Sequence, residues 1–274
     1  MGKYRIERKL GVGGFSVVYR AMDTIEGVRV ALKIPHHHLV TPEVLEEFRQ
    51  EARMMARLEH PNILPLKNAE FIDEKFVIVY PLGEKTLTDR LQSRLSFATA
   101  IDYAEQMLSA VAYAHEHRII HCDVKPDNVI LFSGGRLRLA DFGIAKVANR
   151  TIRASGSGTV GYVAPEQAMG RPSFRSDVFS LGLILYRMLT GRLPEWPYEW
   201  PPPGVDRLRR RHPDLLSLVR KAIDVNPRRR YRDAGVMLDA FLRIKPRVLR
   251  HAKRQSERTR TTTKKSTRRT KGKR

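Results

Sequence analysis

Cysteine is almost absent from this sequence, since Cys122 is the single one among 274 residues. An intramolecular disulfide therefore cannot form, which excludes a disulfide-stapled small domain. Apolar runs are also short: even the stretch 179–189 is interrupted by Arg187 and falls below the roughly 18 residues that a membrane-spanning helix needs. The amino terminus has no apolar signal region. We expect no transmembrane segment and a reducing, cytoplasmic location.

Acidic residues are scarce relative to basic ones, because 29 Asp and Glu face 51 Lys and Arg, a formal net charge of +22. Residues 247–274 contain 13 Lys and Arg and one acid, so this tail carries +12 and leaves +10 for the rest. Burial cannot offset the entropy of ordering a tail with so few apolar residues. We expect a disordered basic tail that binds an acidic protein, nucleic acid or an anionic membrane surface, or that only increases solubility.

Before this tail, the hydrophobic periodicity divides the chain into two unlike parts. Alternating apolar residues at 3–20 and 28–34 predict antiparallel strands, and a helical stripe follows over 41–59, where Thr41 can cap the helix. Beyond a strand at 76–82, helices dominate. They are predicted at 98–117, 176–190, 213–225 and 232–244, with a short hairpin at 129–132 and 137–140. The pattern predicts an α+β architecture with a small β-rich lobe and a larger helical lobe.

A glycine-rich stretch near the amino terminus is a candidate phosphate-binding loop. Its glycines let backbone N–H groups approach phosphate oxygens without obstruction by side chains. The residues are Leu10, Gly11, Val12, Gly13, Gly14, Phe15, Ser16, Val17 and Val18. In isolation this stretch is better explained as an ordinary hairpin turn, so its interpretation depends on the motifs further along the chain.

Lys33 ends an apolar strand 20 residues after Gly13, and Glu51 lies on or beside the apolar stripe of the following helix. A lone lysine at a strand end is more often exposed to solvent. If Lys33 is buried, its ammonium group needs anions, and nucleotide phosphates and Glu51 are the candidates. The order of loop, lysine and glutamate favours a nucleotide site.

The segment 121–128 combines Asp123, Lys125 and Asn128, and Asp141-Phe142-Gly143 begins 18 residues after Asp123. Phosphoryl transfer requires a carboxylate that accepts the hydroxyl proton and oxygen ligands for Mg²⁺, and this arrangement supplies both. Taken alone, such acids usually cap helices or stabilise turns. Here they follow the glycine-rich stretch, Lys33 and Glu51 in order along the chain, and this combination favours a catalytic role.

Together these motifs resemble the protein-kinase superfamily, specifically the eukaryotic-like serine/threonine kinases common in bacteria. The resemblance covers about residues 4–244 and implies a bilobal fold. Its N-lobe would span about 4–79, its hinge 80–83 and its C-lobe 84–244.

The resemblance also implies a role for each matching residue, with ATP and Mg²⁺ (or Mn²⁺) as cofactors and proteins as substrates. Asp123, Lys125, Lys33 and Glu51 would be catalytic, and Asn128 and Asp141 would ligate the metal. Ala31, Val79, Tyr80 and Leu82 would border the adenine, with Val79 as gatekeeper. The structural and activation-segment residues would be His121, Gly143, Thr159, Glu166, Asp177 and Arg230.

Lys125-Pro126, together with Thr159 ahead of Tyr162, resembles the serine/threonine branch of the family. Cys122 departs from the family pattern, because many members have there an arginine that binds an activation-segment phosphate. Phosphorylation at Thr151, Ser155 or Ser157 is therefore less assured as a switch. The alternatives are a pseudokinase scaffold tethered by its tail, a small-molecule phosphotransferase and a nucleic-acid-binding protein, but every catalytic position is present.

Overall fold

The computed structural model describes residues 2–14, 16–36, 40–142 and 160–271. An antiparallel sheet of five strands forms the amino-terminal lobe, in the order β1-β2-β3-β5-β4. The strands are β1 Tyr4–Val12, β2 Ser16–Asp23, β3 Val28–Pro35, β4 Asn68–Ile72 and β5 Lys75–Pro81. This sheet carries the candidate phosphate loop between β1 and β2 and Lys33 on β3.

Helix α1, Pro42–Met55, covers one face of the sheet. Its start follows the sequence, because the Thr41 side chain accepts a hydrogen bond from the Val44 N–H and proline occupies the first turn. Phe48 and Ala52 are buried against Ile78 of β5. The same face of the helix directs Glu51 towards the sheet.

The second lobe is mainly helical and contains a small three-stranded sheet in the order β6-β7-β8. The strands are β6 Lys85–Thr86, β7 Val129–Phe132 and β8 Arg136–Leu139. The helices are α2 Leu87–Arg90, α3 Phe97–Glu116, α4 Pro165–Ala168, α5 Phe174–Thr190, α6 Val205–Arg211, α7 Pro213–Ala222 and α8 Ala234–Lys271. The bilobal α+β architecture that the sequence predicts is confirmed. Within the described ranges, no helix is both long and apolar enough to cross a membrane.

Helix α5 is the central element of the helical lobe, because residues on all of its sides are buried. Gly182 lies where α5 meets the end of α7. A Cβ atom on Gly182 would lie 2.7 Å from Ile223 Cγ2 and 2.8 Å from Ala222 Cβ, so a larger residue would push the helices apart. This packing fixes α5, whose first turn carries Asp177.

The expectation of disorder fails for the first residues of the predicted tail, 247–251. Helix α8 continues through Pro246, and Val248 is fully buried in the core of the helical lobe. The His251 ring contacts the carbonyl of Arg211, and Arg247 forms a 3.0 Å ion pair with Asp214. The physical reason is a helical apolar repeat across the proline, which includes Phe241 and Val248 and which the dense positive charge obscures.

We predict that Val248→Asp lowers the free energy of unfolding by more than about 2 kcal/mol, because it buries an unpaired carboxylate. The exposed Arg250 provides the matched control. Arg250→Asp should change the stability by less than about 0.5 kcal/mol, because it lies away from the core. Denaturant unfolding of the full chain measures both, and equal stabilities would contradict the packing of Val248.

Candidate active site

The ammonium group of Lys33 joins three elements at one point. Lys33 Nζ lies 2.8 Å from Glu51 Oε1 of α1 and 2.7 Å from Asp141 Oδ1, which follows β8. Lys33 and Glu51 are both buried. The structure therefore brings together three predicted site residues: Lys33, Glu51 and Asp141.

Burial and charge oppose each other in this cluster. Burial alone would lower the pKa of Lys33, but the carboxylates of Asp141 and Glu51 raise it above its usual value. Burial would raise the pKa of Asp141, yet the charge of Lys33 lowers it. The pKa of Glu51 is raised, because its burial outweighs the attraction of Lys33. Lys33 thus stays cationic and Asp141 stays ionised at neutral pH.

Tyr80 is a partner of Glu51 that the sequence analysis did not foresee in this role. Its hydroxyl donates a hydrogen bond to Glu51 Oε1 at 3.2 Å, and its side chain is buried with Phe48 and Ala140. Glu51 Oε2 is buried without a hydrogen-bond partner among the described residues. The Tyr80 hydroxyl therefore adds to the restraint that Lys33 places on this carboxylate.

The gatekeeper assignment of Val79 is corrected by the same geometry. Val79 is fully buried with Leu32 and Val77 on the opposite face of the sheet, away from α1. Tyr80 pairs with Ala31 of β3, and its side chain lies on the face of the sheet that α1 covers, where it contacts Glu51. Because successive side chains of a strand point to opposite faces of the sheet, Val79 and Tyr80 cannot both face α1.

The segment that follows β5 and includes the end of the predicted hinge, 80–83, lies close to β7. A Cβ atom on Gly83 would lie 2.2 Å from Ile130 Cγ2 and 2.9 Å from the carbonyl of Leu131, so only glycine fits without displacement. The Glu84 N–H also donates to the Leu131 carbonyl at 2.8 Å. These contacts fasten the connection between the lobes to the small sheet.

The candidate phosphate loop is a tight turn between β1 and β2. Val12 pairs with Val17, and the Gly13 N–H donates to the Ser16 carbonyl at 2.8 Å. The His36 ring lies 2.8 Å from the carbonyl of Gly13. Phe15 lies outside the described residues. Gly11 belongs to β1, and Gly13 and Gly14 lie in the turn that connects the two strands, as the sequence predicts.

Asp123 is held by its neighbours in the loop after α3. Asp123 Oδ2 accepts a hydrogen bond from Asn128 Nδ2 at 2.8 Å and lies 2.8 Å from Lys125 Nζ. The 3₁₀ turn Pro126–Asn128 places Asn128 for this contact. Both partners use the same oxygen, which leaves Asp123 Oδ1 for a further ligand.

Asn128 also lies beside the segment that carries Asp141. The Ala140 N–H donates to the Asn128 carbonyl at 2.8 Å, so the two predicted metal ligands belong to adjoining backbone segments. The Asn128 amide nitrogen bonds to Asp123, which leaves Oδ1 as its candidate metal ligand. Across the described residues, no cluster of three or more His, Cys, Asp or Glu side chains could hold a metal ion.

The buried carboxylate of Asp177 supports the segment 121–128, the candidate catalytic loop. It accepts hydrogen bonds from the backbone N–H groups of His121 and Cys122, both at 2.8 Å. Cys122 has a φ of 62°, a left-handed conformation that a non-glycine residue adopts only when its surroundings enforce it. These two hydrogen bonds hold Cys122 in that conformation, directly before Asp123.

His115 completes this support, although no motif in the sequence identifies it. Its Nδ1 accepts from the Ala234 N–H at 3.0 Å, so Nε2 carries the proton that is donated to Asp177 at 3.0 Å. Because His115 lies on the buried face of α3, its periodicity is that of a core residue. Helix α8 is thereby connected to the catalytic loop.

His121 connects the same loop to the segment containing Asp141. Its Nδ1 accepts from the Asp123 N–H at 3.2 Å, and Nε2 donates to the Ala140 carbonyl at 3.0 Å. Its ring also packs 4.4 Å from that of Phe142. Gly143 and Thr159 lie outside the described residues.

Glu166 forms a bidentate ion pair with the buried Arg230, with N–O distances of 2.8 and 3.0 Å. Arg230 also donates to the carbonyls of Asp224, Arg175 and Val225, which satisfies its remaining donors. Beside this pair, the side-chain amide of Gln167 donates to the carbonyl of Cys122. The segment after the described gap is therefore tied to the catalytic loop.

We predict that Tyr80→Phe lowers the free energy of unfolding by about 1–2 kcal/mol, since a buried carboxylate loses its second hydrogen-bond partner. Thermal or denaturant unfolding would measure the change. Tyr19→Phe, which removes a hydroxyl from a partly buried residue of β2, is the control and should change stability little. If the two variants were equally stable, Tyr80 would have no part in holding Glu51.

We also predict that the thiol of Cys122 reacts slowly in the folded chain. Burial, followed by the charges of Asp177 and Asp123, raises its pKa to about 12. At pH 7.5 we expect alkylation at least about 100-fold slower than for a free thiol, because the thiolate is the reactive form. Full reactivity should return in denaturant, and this single thiol makes the readout unambiguous. Equal rates in the folded and unfolded chain would contradict the raised pKa of the Cys122 thiol.

Comparisons with known proteins agree with this geometry. Residues 4–234 match the protein kinase domain family. Serine/threonine-protein kinase PknA of Mycobacterium tuberculosis is 35% identical over 272 residues, covering 89% of this chain and 62% of the relative. A probable serine/threonine-protein kinase of Clostridium acetobutylicum is 32% identical, with 89% and 40% covered. Serine/threonine-protein kinase PrkC of Bacillus subtilis is 37% identical, with 70% and 31% covered. The chain thus spans less than two thirds of these relatives.

Proposed function

The chain belongs to the protein kinase family, and on this basis we propose that it transfers the γ-phosphate of ATP to serine and threonine hydroxyls of other proteins. Members of this family use ATP and a divalent metal ion. The choice of serine and threonine rests on the names of the relatives and on Lys125-Pro126 after Asp123.

The observation that carries the proposal is the double contact of Lys33. An ammonium group that bonds to Glu51 and Asp141 at once links the sheet, α1 and the helical lobe. In phosphoryl transfer the lysine–glutamate pair and the metal-binding aspartate must both be in place. The described residues have this arrangement, which favours an active enzyme over a scaffold.

We propose that the nucleotide lies between Lys33 and the glycine-rich stretch 10–18, which comprises the end of β1, the turn and the start of β2. The backbone N–H groups of the loop would bind phosphate oxygens, and Lys33 would bind them by its charge. Asn128 and Asp141 fit Mg²⁺, or Mn²⁺, because they offer hard oxygen ligands, and the ion would neutralise charge on the phosphates when bound. The hydrogen bond between the Ala140 N–H and the Asn128 carbonyl keeps these two ligands on neighbouring segments.

Asp123 is proposed as the residue that orients the acceptor hydroxyl and accepts its proton. Lys125 and Asn128 occupy Oδ2, so Oδ1 is the oxygen that would face the substrate. Lys125 lies beside this carboxylate and would neutralise charge on the transferred phosphoryl group. The same loop therefore positions the acceptor and stabilises the charge that develops.

The remaining assignments are proposals of the same kind. The kinase domain would comprise residues 4–244, and a cytoplasmic location would supply its ATP. The basic residues of 247–274 would attract an anionic partner, because long-range attraction grows with net charge.

We predict that Asp123→Asn lowers transfer of labelled γ-phosphate by about 10²–10⁴-fold and leaves ATP binding nearly unchanged, since it removes the base and retains the phosphate site. Phosphate transfer is measured to the chain itself and to a generic basic protein, and the phosphorylated amino acids are identified. Lys33→Met should abolish transfer.

Asp239→Asn is the matched control, because Asp239 is an exposed aspartate of α8 far along the chain from the site. It should retain normal transfer. Near-normal turnover of Asp123→Asn would refute its role as base, and transfer that persists in Lys33→Met would refute the proposed site.

A further inference from the structure

A cavity of about 230 Å³ lies in the helical lobe, between the loop that precedes α3, the end of α5 and helix α6. Among the residues that the structure describes, its wall contains four arginines and no acidic side chain. The arginines are Arg94, Arg187, Arg207 and Arg211. Guanidinium groups remain charged at all relevant pH values, so this wall is strongly positive.

Neutral groups orient three of these arginines without compensating their charge. Arg187 Nη1 donates to the Tyr162 hydroxyl at 2.6 Å, and Arg207 Nη1 donates to the Thr190 carbonyl at 2.8 Å. The Arg211 guanidinium lies over the Phe97 ring, 5.1 Å from its centre. Each guanidinium has five donors, so further donors are left for an anion.

The crowding of positive charge is visible at Arg211. Burial, and then the charges of Arg94 and Arg210, lower the pKa of Arg211. Positive charges gathered around a concave surface raise the local concentration of anions and lower that of cations. An anion in the cavity would relieve this repulsion.

The cavity is connected to the acceptor side of the proposed active site. Tyr162, which contacts Arg187, precedes the segment whose Gln167 bonds to the carbonyl of Cys122, next to Asp123. Helix α5 holds the catalytic loop through Asp177 and reaches Arg187 ten residues later, about 15 Å at a rise of 1.5 Å per residue. An extended polypeptide covers this distance in about five residues.

We propose that this cavity binds a carboxylate or phosphate side chain of the protein substrate, about five residues from the acceptor hydroxyl, and so selects acidic substrates. The inference rests on the proposed kinase function and specifies its substrate class. Arginine suits this task, because its planar fork of donors matches the oxygens of a carboxylate or a phosphate.

The test uses serine peptides of one neutral sequence, in which a single glutamate, phosphoserine, alanine or lysine is placed three to seven residues on either side of the acceptor. We expect kcat/KM to be roughly tenfold higher for the glutamate or phosphoserine peptide at the favoured spacing than for alanine. Comparison of these two acidic peptides distinguishes carboxylate from phosphate recognition. The preference should weaken as salt is added.

Charge reversal in the cavity supplies the decisive comparison. Arg94→Glu and Arg211→Glu should remove the acidic preference or turn it towards lysine, while transfer to the alanine peptide continues. Arg94 is exposed, so that variant alters the charge with little risk to folding. Arg5→Glu in β1 makes the same charge change on an exposed residue of the other lobe and should retain the acidic preference.

The outcomes separate the two levels of the proposal. Equal kcat/KM for acidic and alanine peptides, or an acidic preference that persists in both cavity variants, would overturn the role of the cavity and leave the kinase function intact. A loss of preference in Arg5→Glu as large as in the cavity variants would assign the effect to net charge and overturn the cavity's role as well. Absence of Lys33-dependent transfer to every peptide would overturn the kinase function and, with it, this inference.

Discussion

The buried ammonium group of Lys33 is the constraint on which the site depends. A charge that is removed from water must find opposite charges within hydrogen-bonding distance, and here it finds two. One belongs to α1 and the other follows β8, so the ammonium nitrogen of Lys33 bridges the two lobes. Because Glu51 and Asp141 share this cation, a displacement of α1 would change the environment of the proposed metal ligand.

The catalytic loop depends on a second buried charge in the same manner. The Asp177 carboxylate accepts hydrogen bonds from two backbone N–H groups of the loop, and it accepts a third from His115. His115 accepts in turn from the first residue of α8. The left-handed conformation of Cys122 costs free energy, and it persists because α3, α5 and α8 all contribute to its support. The orientation of Asp123 is therefore a property of the packed helical lobe and not of the loop alone.

Local patterns predicted most of the elements, because amphipathic periodicity and caps act over a few residues. The start of α1 at Thr41 and the hairpin at 129–139 are examples. The face of Tyr80 was not predictable in this way, since it depends on how β5 pairs with β3. The helical continuation to Val248 was hidden for another reason: a proline and many basic residues dominate its composition, while the buried Val248 and the contacts of Arg247 and His251 hold it in place.

The arginine cavity could not be predicted from the sequence, because its arginines come together only in the folded chain. Only Arg207 and Arg211 are close in the sequence, four residues apart on α6, and Arg94 and Arg187 come from distant segments. Each of the four singly resembles an ordinary surface residue. The net charge of +22 attracts any anion over a distance set by salt, so it cannot discriminate among anions. Discrimination requires donors fixed at short range, and Tyr162, Thr190 and Phe97 provide that fixation here. The long-range charge would then govern how fast an acidic substrate arrives, and the cavity would govern which one remains long enough to be phosphorylated.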